Sequence, residues 1–288
     1  MTRARVVVVG DVGLDLCCRL LAPIAVGDDT RARITSHPGG AGANTAAGLA
    51  RLGVEVELIA RVGDDEAGRA AAVELGGLGV HCRFVVDPTL PTCRVIVMVD
   101  AAGGRTMVSD RGANAALRPA DVALPAGPGH LHLSGYVLLD ARSRAAGQAA
   151  LDRAARAGWT TSVDPQTAAG VAAVGAADFL DWVRGVDVLL PNDTELAALG
   201  GPVAALAATG AVAVTHGRGG ASWYSGGAAL RVPVDRLANL DSTGAGDAFD
   251  AGFLAAWLDG AAPADALAAG VRAGTAAADA AGARAGPP

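Results

Sequence analysis

The chain contains no lysine. All 23 of its basic residues are arginines, and 29 acidic residues outnumber them, so the net charge is −6. Such a chain lacks the basic surface with which nucleic-acid-binding and membrane-surface proteins attract anions. Any anion bound here must be held by arginine side chains or backbone N–H groups, and we expect neither a nucleic-acid nor a membrane partner.

Aromatic residues and cysteines are also scarce. Aromatic residues form 3% of the chain, so the core must come mainly from alanine and valine. Such a core needs close packing of helices on a sheet, which alanine and glycine permit. Four cysteines without a CxxC spacing do not indicate a disulfide framework or a metal site. The first apolar run, residues 6–9, is too short for a signal sequence or a membrane span, which predicts a cytoplasmic protein.

Strand and helix patterns alternate along most of the 288 residues, which suffice for one large domain spanning 1–288. Short apolar runs such as residues 5–11 predict buried parallel strands, and alanine-rich segments between them predict helices. The expected fold is α/β, with a mostly parallel central sheet covered on both faces. Strand patterns without intervening helices, at about 14–37 and 81–111, predict a small antiparallel lid.

The strongest chemical signal is the segment 241–249, where a glycine-rich turn leads directly into a helix pattern. Free N–H groups at a helix N-terminus bind anions, and Gly244 and Gly246 let the backbone approach a phosphate closely. Asp247 then lies in the first turn, where its carboxylate can accept a hydroxyl proton beside the anion. An ordinary first-turn aspartate is the alternative, but the preceding Gly-Ala-Gly favours the catalytic interpretation.

A second glycine cluster, residues 39–44, opens the first long helix pattern. Alone it indicates a tight turn, a dinucleotide loop or a backbone-lined pocket for a polyol, with the Asn44 amide able to donate and accept. It does not directly follow the first strand, which argues against a dinucleotide-binding fingerprint and a nicotinamide oxidoreductase.

Together these segments resemble the PfkB (ribokinase-like) carbohydrate kinase family: residues 39–47 resemble its N-terminal signature and 241–253 its C-terminal one. The resemblance implies an α/β/α sandwich with a β lid and transfer of the γ-phosphate of ATP to a hydroxymethyl group of a sugar or sugar-like substrate. It also implies that Asp247 is the base and that the N–H groups of Gly244, Ala245 and Gly246 form the anion hole.

Further segments extend the resemblance to the nucleotide. Asn192 and Glu195 resemble the family's NxxE motif, which arranges Mg²⁺ and its waters, although the same residues also fit a helix capping box. Thr215, Gly217 and Gly220 resemble its nucleotide loop, with a plain hairpin entry as the alternative. The family's monovalent-cation site implies K⁺ as an additional cofactor, held by backbone carbonyl groups around Asp241 and Thr243.

Substrate contacts are expected near the first strand. Asp11 and Asp15 follow it and can accept hydrogen bonds from sugar hydroxyls; Asp15 matches the family's substrate-binding aspartate, whereas Asp11 also fits a turn cap. Gly40 and Asn44 match further substrate contacts, and Arg111 is expected at the pocket mouth, with a surface arginine as the alternative.

Some positions depart from ribokinases, which carry Lys at Ala41, Asn at Gly13 and Glu near Ser134, so the resemblance does not extend to ribose as the substrate.

Two other functions stay open. A nucleoside kinase would need an apolar slot for a base, for which we considered Cys18, Phe84, Val97 and Met98. A ligand-binding regulator without catalysis is disfavoured by the intact segment 244–247. Exposed lid edges also predict a homodimer formed through the lid.

Overall fold

A computed structural model describes residues 5–101, 104–234 and 244–279. The predicted cation-site residues Asp241 and Thr243 lie outside the described residues. All four cysteines are free thiols. Within the described ranges, no helix combines the length and the apolar character that crossing a bilayer requires.

The strands of the described residues form two sheets. They are β1 (Arg5–Val9), β2 (Gly13–Leu20), β3 (Ala32–Gly39), β4 (Val56–Gly63), β5 (His81–Asp87), β6 (Cys93–Val99), β7 (Arg105–Asp110), β8 (Gly129–Ser134), β9 (Thr160–Asp164), β10 (Val188–Leu189), β11 (Ala211–Thr215), β12 (Ala221–Ser225) and β13 (Ala228–Val232).

The helices connect these strands and cover the larger sheet. They are α1 (Ala41–Arg51), α2 (Glu66–Gly77), α3 (Tyr136–Leu139), α4 (Arg144–Arg156), α5 (Ala168–Val174), α6 (Ala176–Trp182), α7 (Asp193–Ala198), α8 (Gly201–Leu206), α9 (Ala245–Leu258) and α10 (Pro263–Asp279). Short 3₁₀ helices lie at Gly112–Ala116, Pro119–Asp121 and Gly217–Gly219.

The larger sheet has the strand order β13-β12-β11-β10-β9-β8-β1-β4-β5. Its strands run parallel from β11 to β5, and β12 and β13 pair antiparallel at one edge. This is the mostly parallel sheet that the strand–helix alternation predicts. Ligands of such sheets bind beyond the carboxyl ends of the strands, where the strand order reverses, and here β1 lies between β8 and β4 at that point.

Each face of this sheet carries its own hydrophobic core. The alternation of side chains along β1 shows this directly, because Val6 and Val8 pack with α1, α2, α9 and α10, whereas Val7 and Val9 pack with α3 to α8. All four valines are completely buried. The fold is therefore the predicted three-layer α/β/α arrangement.

Helix α9 contacts the sheet through a row of aromatic residues, of which Phe253 packs on Trp223 of β12 with ring centroids 5.8 Å apart. Phe249 stacks on Phe253 with ring centroids 6.1 Å apart, and Phe253 stacks on Trp257 at 6.3 Å. The three residues are spaced four apart and therefore lie on one side of the helix. This row fixes the orientation of the helix that carries Asp247 at its start.

The smaller sheet, called the lid below, has the strand order β3-β2-β6-β7. Two antiparallel pairs, β2–β3 and β6–β7, are joined by a parallel pairing of β2 with β6. Strands predicted at 14–21, 30–36, 93–99 and 105–109 all contribute to it.

The strand predicted at the start of the second lid segment forms, but it does not belong to the lid. His81–Asp87 pairs in parallel with β4 at the edge of the larger sheet. The preceding helix α2 makes a β–α–β crossover, which returns the chain alongside β4. No helix separates this strand from β6, and this local pattern led to the wrong placement.

Two buried histidines lie in the middle of the larger sheet. His130 hydrogen-bonds with Thr160 and Ser162, and His132 also hydrogen-bonds with Ser162. Burial lowers the pKa of His130 to about 3 and that of His132 to about 4, so both rings are neutral at pH 7. These side chains form a structural polar network inside the sheet.

Candidate active site

Polar residues from distant parts of the chain meet at one edge of the larger sheet. Asp11 follows β1, Asp164 ends β9, Asn192 follows β10 and Thr215 ends β11. The carboxyl ends of these parallel strands lie side by side, so the four residues converge there. The lid joins the same edge, because it begins directly after β1.

Two adjoining cavities occupy this edge. One, of about 470 Å³, lies between the strand ends and the lid and is called the lid cavity; the other, of about 480 Å³, lies against α9 and α10 and is called the helix cavity. Asn192, Thr215 and Gly246 line both cavities and therefore mark their junction. The lid cavity contains the predicted residues Asp11, Asp15, Gly40, Asn44, Arg111, Glu195, Gly244 and Asp247, and the helix cavity contains Gly217, Gly220 and Ala245.

Asp247 lies in the first turn of α9 and is only 9% exposed. Its Oδ2 accepts a hydrogen bond of 2.8 Å from Nδ2 of Asn44, which lies on α1. The two glycine-rich segments are 203 residues apart in sequence and touch through this bond. Asn44 therefore holds the carboxylate of Asp247 in place at the floor of the lid cavity.

The N-terminus of α9 opens toward the cavity junction. Gly244 precedes the helix in a left-handed conformation with φ of 75°, which favours glycine. No side chain of the described residues caps this end, and the first intrahelical bond runs from the Ala248 N–H to the Gly244 oxygen. The N–H groups of Ala245 and Gly246 precede this bond and have no partner within the helix, so this end attracts anions.

Four carboxyl groups crowd the same region. Besides Asp247 and Glu195, the lid cavity is lined by Asp164 and Asp250, which sequence analysis missed. Asp250 follows Asp247 by three residues, so helical spacing could have placed it on the same face. Asp164 had no comparable signal beyond its position at a strand end.

Burial and crowding raise the pKa values of three of these four carboxyl groups. Burial, followed by repulsion from Glu195 and Asp247, raises the pKa of Asp164 well above its ordinary value. Burial, followed by repulsion from Asp164, does the same to the pKa of Asp250, and burial raises the pKa of Glu195. These carboxyl groups therefore disfavour one another's ionised forms, and a bound cation would relieve that repulsion.

The carboxylate of Glu195 is held by a complete capping box at the start of α7. Asn192 donates to it from both its backbone N–H (2.9 Å) and Nδ2 (2.7 Å), and Asn192 Oδ1 accepts from the backbone N–H of Glu195. The structural alternative considered for this motif is therefore present. Because Glu195 also lines the lid cavity, the capping box and a role in metal binding are compatible.

The predicted nucleotide loop is tied to this capping box. The His216 ring hydrogen-bonds with Asp193 through Nδ1 and with Ser222 through Nε2 (2.8 Å). Asn192 and Thr215 also form a parallel backbone bridge. No local sequence pattern indicates a role for His216, because a polar residue after a strand is common and Asp193 is distant from it in sequence.

Asp11 uses its carboxylate to hold the start of α1. It accepts from the Ala41 N–H (3.0 Å), the Gly42 N–H (3.5 Å) and Ser134 Oγ (2.9 Å), and it is 4% exposed. At Gly40, φ is 98° and a Cβ would lie 2.5 Å from the Asp11 carbonyl oxygen, so this tight approach requires glycine. These bonds favour an anchoring role for Asp11 over direct substrate binding.

The lid turns one face toward the cavity. Strand pairing places Asp15, Val95, Val97 and Met107 on this face, and all four line the lid cavity. Arg111 follows β7, and its guanidinium lies 4.8 Å from the centre of the Tyr136 ring. The cavity position of Arg111, rather than the surface alternative, is the one observed.

Three of the four residues considered for a base slot lie elsewhere. Cys18 and Met98 are paired on the opposite face of the lid, and Phe84 lies on β5, where it packs against the hydrophobic core. Of the four, Val97 lines the lid cavity. The slot therefore does not form from these residues.

Comparisons with known proteins agree with this geometry. The sequence model of the pfkB family carbohydrate kinases matches residues 3–288. An ATP-dependent ribose-1-phosphate kinase from Halopiger xanaduensis is 33% identical over 263 residues, which cover 88% of this chain and 85% of that protein.

Solved structures show the same fold. The adenosine kinase of Sinorhizobium meliloti matches with a TM-score of 0.88 at 24% identity, over 99% of this chain and 96% of that one. A fructokinase double mutant of Vibrio cholerae with bound fructose, ADP and potassium matches with a TM-score of 0.81 at 25% identity, over 100% and 97%. Because the family match spans nearly the whole chain and the glycine-rich segments meet at one site, the chain belongs to the pfkB family of carbohydrate kinases.

Proposed function

We propose that this protein transfers the γ-phosphate of ATP to a hydroxymethyl group of a sugar or sugar-like substrate. The observation that carries the proposal is the position of Asp247, a buried carboxylate in the first turn of α9, where two cavities meet. Each of the two cavities offers a place for one substrate. The junction of the cavities lies beside a carboxylate and a helix N-terminus.

In this proposal ATP lies in the helix cavity and the acceptor lies in the lid cavity. Asp247 accepts the proton of the acceptor hydroxyl as the hydroxyl oxygen bonds to the γ-phosphorus. The bond from that phosphorus to the β-phosphate oxygen breaks at the same time and releases ADP. N–H groups of Gly244, Ala245 and Gly246 stabilise the charge on the transferred group. Proton transfer to Asp247 comes late, because the transition state is loose.

Asn192 and Glu195 fit a role in holding Mg²⁺ through water. The excess of acidic groups around Glu195 favours a cation there. Within the described residues, no three His, Cys, Asp or Glu side chains form a metal site by themselves. Mg²⁺ commonly keeps several waters and binds one or two carboxylates plus nucleotide phosphates, which matches this arrangement. When bound, it would neutralise charge on the phosphates.

K⁺ is proposed as an additional cofactor on the family resemblance alone, since Asp241 and Thr243 lie outside the described residues. Its test is the rate of ADP formation in K⁺ compared with an equal ionic strength of a tetraalkylammonium salt. Equal rates in both salts would exclude activation by K⁺.

The proposal predicts ADP formation from ATP and Mg²⁺ with one member of a panel of acceptors. The panel is ribose, ribose 1-phosphate, fructose, fructose phosphates, 2-keto-3-deoxygluconate and adenosine, and ADP release is followed with a coupled assay. Turnover of adenosine alone would favour the nucleoside kinase. A protein that binds ATP and turns over none of these acceptors contradicts the proposal and favours a binding-only regulator.

We also propose that two copies of the chain associate through the outer face of the lid. On this face Ile34 is 65% exposed, Ile96 40% and Val108 54%. Strand pairing places Ile34 beside Cys18 and Ile96 beside Val108, so these side chains form one apolar surface. Such a surface on a soluble protein commonly marks an interface, and two identical surfaces can pack together around a twofold axis.

The double substitution Ile34→Asp and Val108→Asp is expected to convert a dimer to a monomer, because it places a pair of charges in each half of the interface. Sedimentation velocity measures the change. Val203→Asp is the matched control, because Val203 is 82% exposed on α8, away from the lid. A wild-type monomer, or a variant that stays dimeric, contradicts this proposal.

A further inference from the structure

Arg111 is placed where the lid returns to the main domain, directly after β7. Its Nε and Nη2 atoms are buried, and neither has a hydrogen-bond partner in the described part of the chain. The guanidinium lies over the ring of Tyr136, and both residues line the lid cavity. Arg111 therefore brings N–H donors to a cavity wall without using them in the fold.

Two acidic residues in the neighbourhood of Arg111, Asp11 and Asp140, accept hydrogen bonds from other groups. Asp11 accepts from the start of α1 and from Ser134, as described above. Asp140 accepts from the backbone N–H of Arg142 (3.0 Å) and pairs with its side chain. Arg111 forms no ion pair with any carboxylate among the described residues.

A guanidinium in this position needs an anion. Arginine stays protonated in proteins, so it cannot avoid the cost of burial by losing its charge. The contact with Tyr136 offsets part of this cost, because the face of an aromatic ring attracts cations, but it leaves the N–H donors unbonded. Buried charges are stable when they are paired and hydrogen-bonded.

We propose that the acceptor of this kinase carries an anionic group, and that Arg111 binds this group in the lid cavity. This inference rests on the proposed function and names the class of its acceptor: a sugar phosphate or a sugar acid. A guanidinium presents parallel N–H donors that match both phosphate and carboxylate oxygens. The hydroxymethyl end of the same molecule then lies toward Asp247, which lines the same cavity.

Two arginines, Arg105 and Arg111, line the cavity together with a larger number of acidic residues. Asp15, Asp164, Glu195 and Asp247 are among these acidic residues, so an anionic group bound near them would be repelled. Arg111, whose Nε and Nη2 have no hydrogen-bond partner among the described residues, is a position at which one anionic end of an acceptor gains a counter-ion. The opposite end meets carboxyl groups that accept from hydroxyls.

The test compares ribose 1-phosphate, 2-keto-3-deoxygluconate, ribose and fructose as acceptors for the wild type, Arg111→Met and Arg111→Lys. We expect an anionic acceptor to have the highest kcat/KM in the wild type. In Arg111→Met its KM should rise by about 10- to 100-fold with little change in kcat, because a charged hydrogen bond used in ground-state binding is lost. Arg111→Lys should lie between, since it keeps the charge and loses the planar fork.

Arg19→Met is the matched control, because Arg19 is an exposed arginine on a lid strand and does not line the cavity. Which anionic compound responds identifies phosphate or carboxylate as the recognised group. A second readout needs no turnover: the anionic compound alone should raise the unfolding temperature of the wild type more than that of Arg111→Met.

The outcomes separate the two proposals. Equal or better use of neutral sugars, or an unchanged KM for the anionic acceptor in Arg111→Met, overturns the inference and leaves the kinase intact. If no acceptor is phosphorylated but an anionic compound stabilises the wild type through Arg111, the proposed function fails and the anion site stands. If neither anionic compound stabilises or reacts, the anion site is refuted.

Discussion

Asp247→Asn is expected to lower kcat by about 10²- to 10⁴-fold, which is the contribution that a positioned general base typically makes. The asparagine amide keeps the shape of the side chain, and its oxygen can still accept the 2.8 Å hydrogen bond from Asn44. It cannot take up the proton of the acceptor hydroxyl. The loss should therefore appear in kcat, with the KM values of ATP and acceptor little changed.

Asp265→Asn is the control for Asp247→Asn. Asp265 is also an aspartate in the first turn of a helix, α10, but it is exposed and lines neither cavity. Both variants should unfold in denaturant like the wild type, and Asp265→Asn should keep full activity. The measurement is kcat from steady-state rates with the best acceptor. A wild-type kcat in Asp247→Asn would show that another group accepts the proton.

Glu195→Gln is expected to raise the Mg²⁺ concentration needed for half-maximal activity by about 10- to 100-fold, the usual effect of removing a group that positions a bound metal. Two causes act together. The substitution removes a negative charge from the lid cavity, and it replaces one of the two oxygens that accept from Asn192 with an NH₂ group. Rates measured across a Mg²⁺ titration at saturating acceptor give the answer.

A loss of stability could imitate this effect, because Glu195 also completes the cap of α7. Asp65→Asn separates the two causes: Asp65 caps α2 by accepting from the Gly68 N–H (2.9 Å), and it lies outside both cavities. Each substitution keeps one acceptor oxygen and replaces the other, so both variants should lower the free energy of unfolding by about 1 kcal/mol, the net contribution of one hydrogen bond. An increased Mg²⁺ requirement in Asp65→Asn, or none in Glu195→Gln, contradicts the metal role.

Local patterns in the sequence were sufficient for the elements that carry the site. The apolar run that forms β1 and the helix at Ala245–Leu258 were both predicted, and the glycine-rich turn before that helix carries the proposed anion hole. These features depend on side-chain alternation and on backbone chemistry within a few residues. For that reason they can be inferred without knowing what packs against them.

Contacts between segments that are distant in the sequence were harder to predict. The strand His81–Asp87 was recognised as a strand, but its partner β4 follows from the crossover through α2 and not from its own residues. The sequence does not distinguish a surface position from a cavity position for Arg111, because the exposure of its side chain depends on the neighbouring Tyr136 and on the path of the lid. Asp164 entered the site through strand order alone.

By itself, the sequence determined the fold class, the two glycine-rich segments and the chemistry that their residue types allow. Tertiary structure decided which of those residues meet: Asn44 with Asp247 across 203 positions, and Arg111 in a cavity without a counter-ion in the described residues. The physical reason is range. Periodicity and turn preferences act over a few residues, whereas burial and charge pairing depend on how sheet, helices and lid pack together.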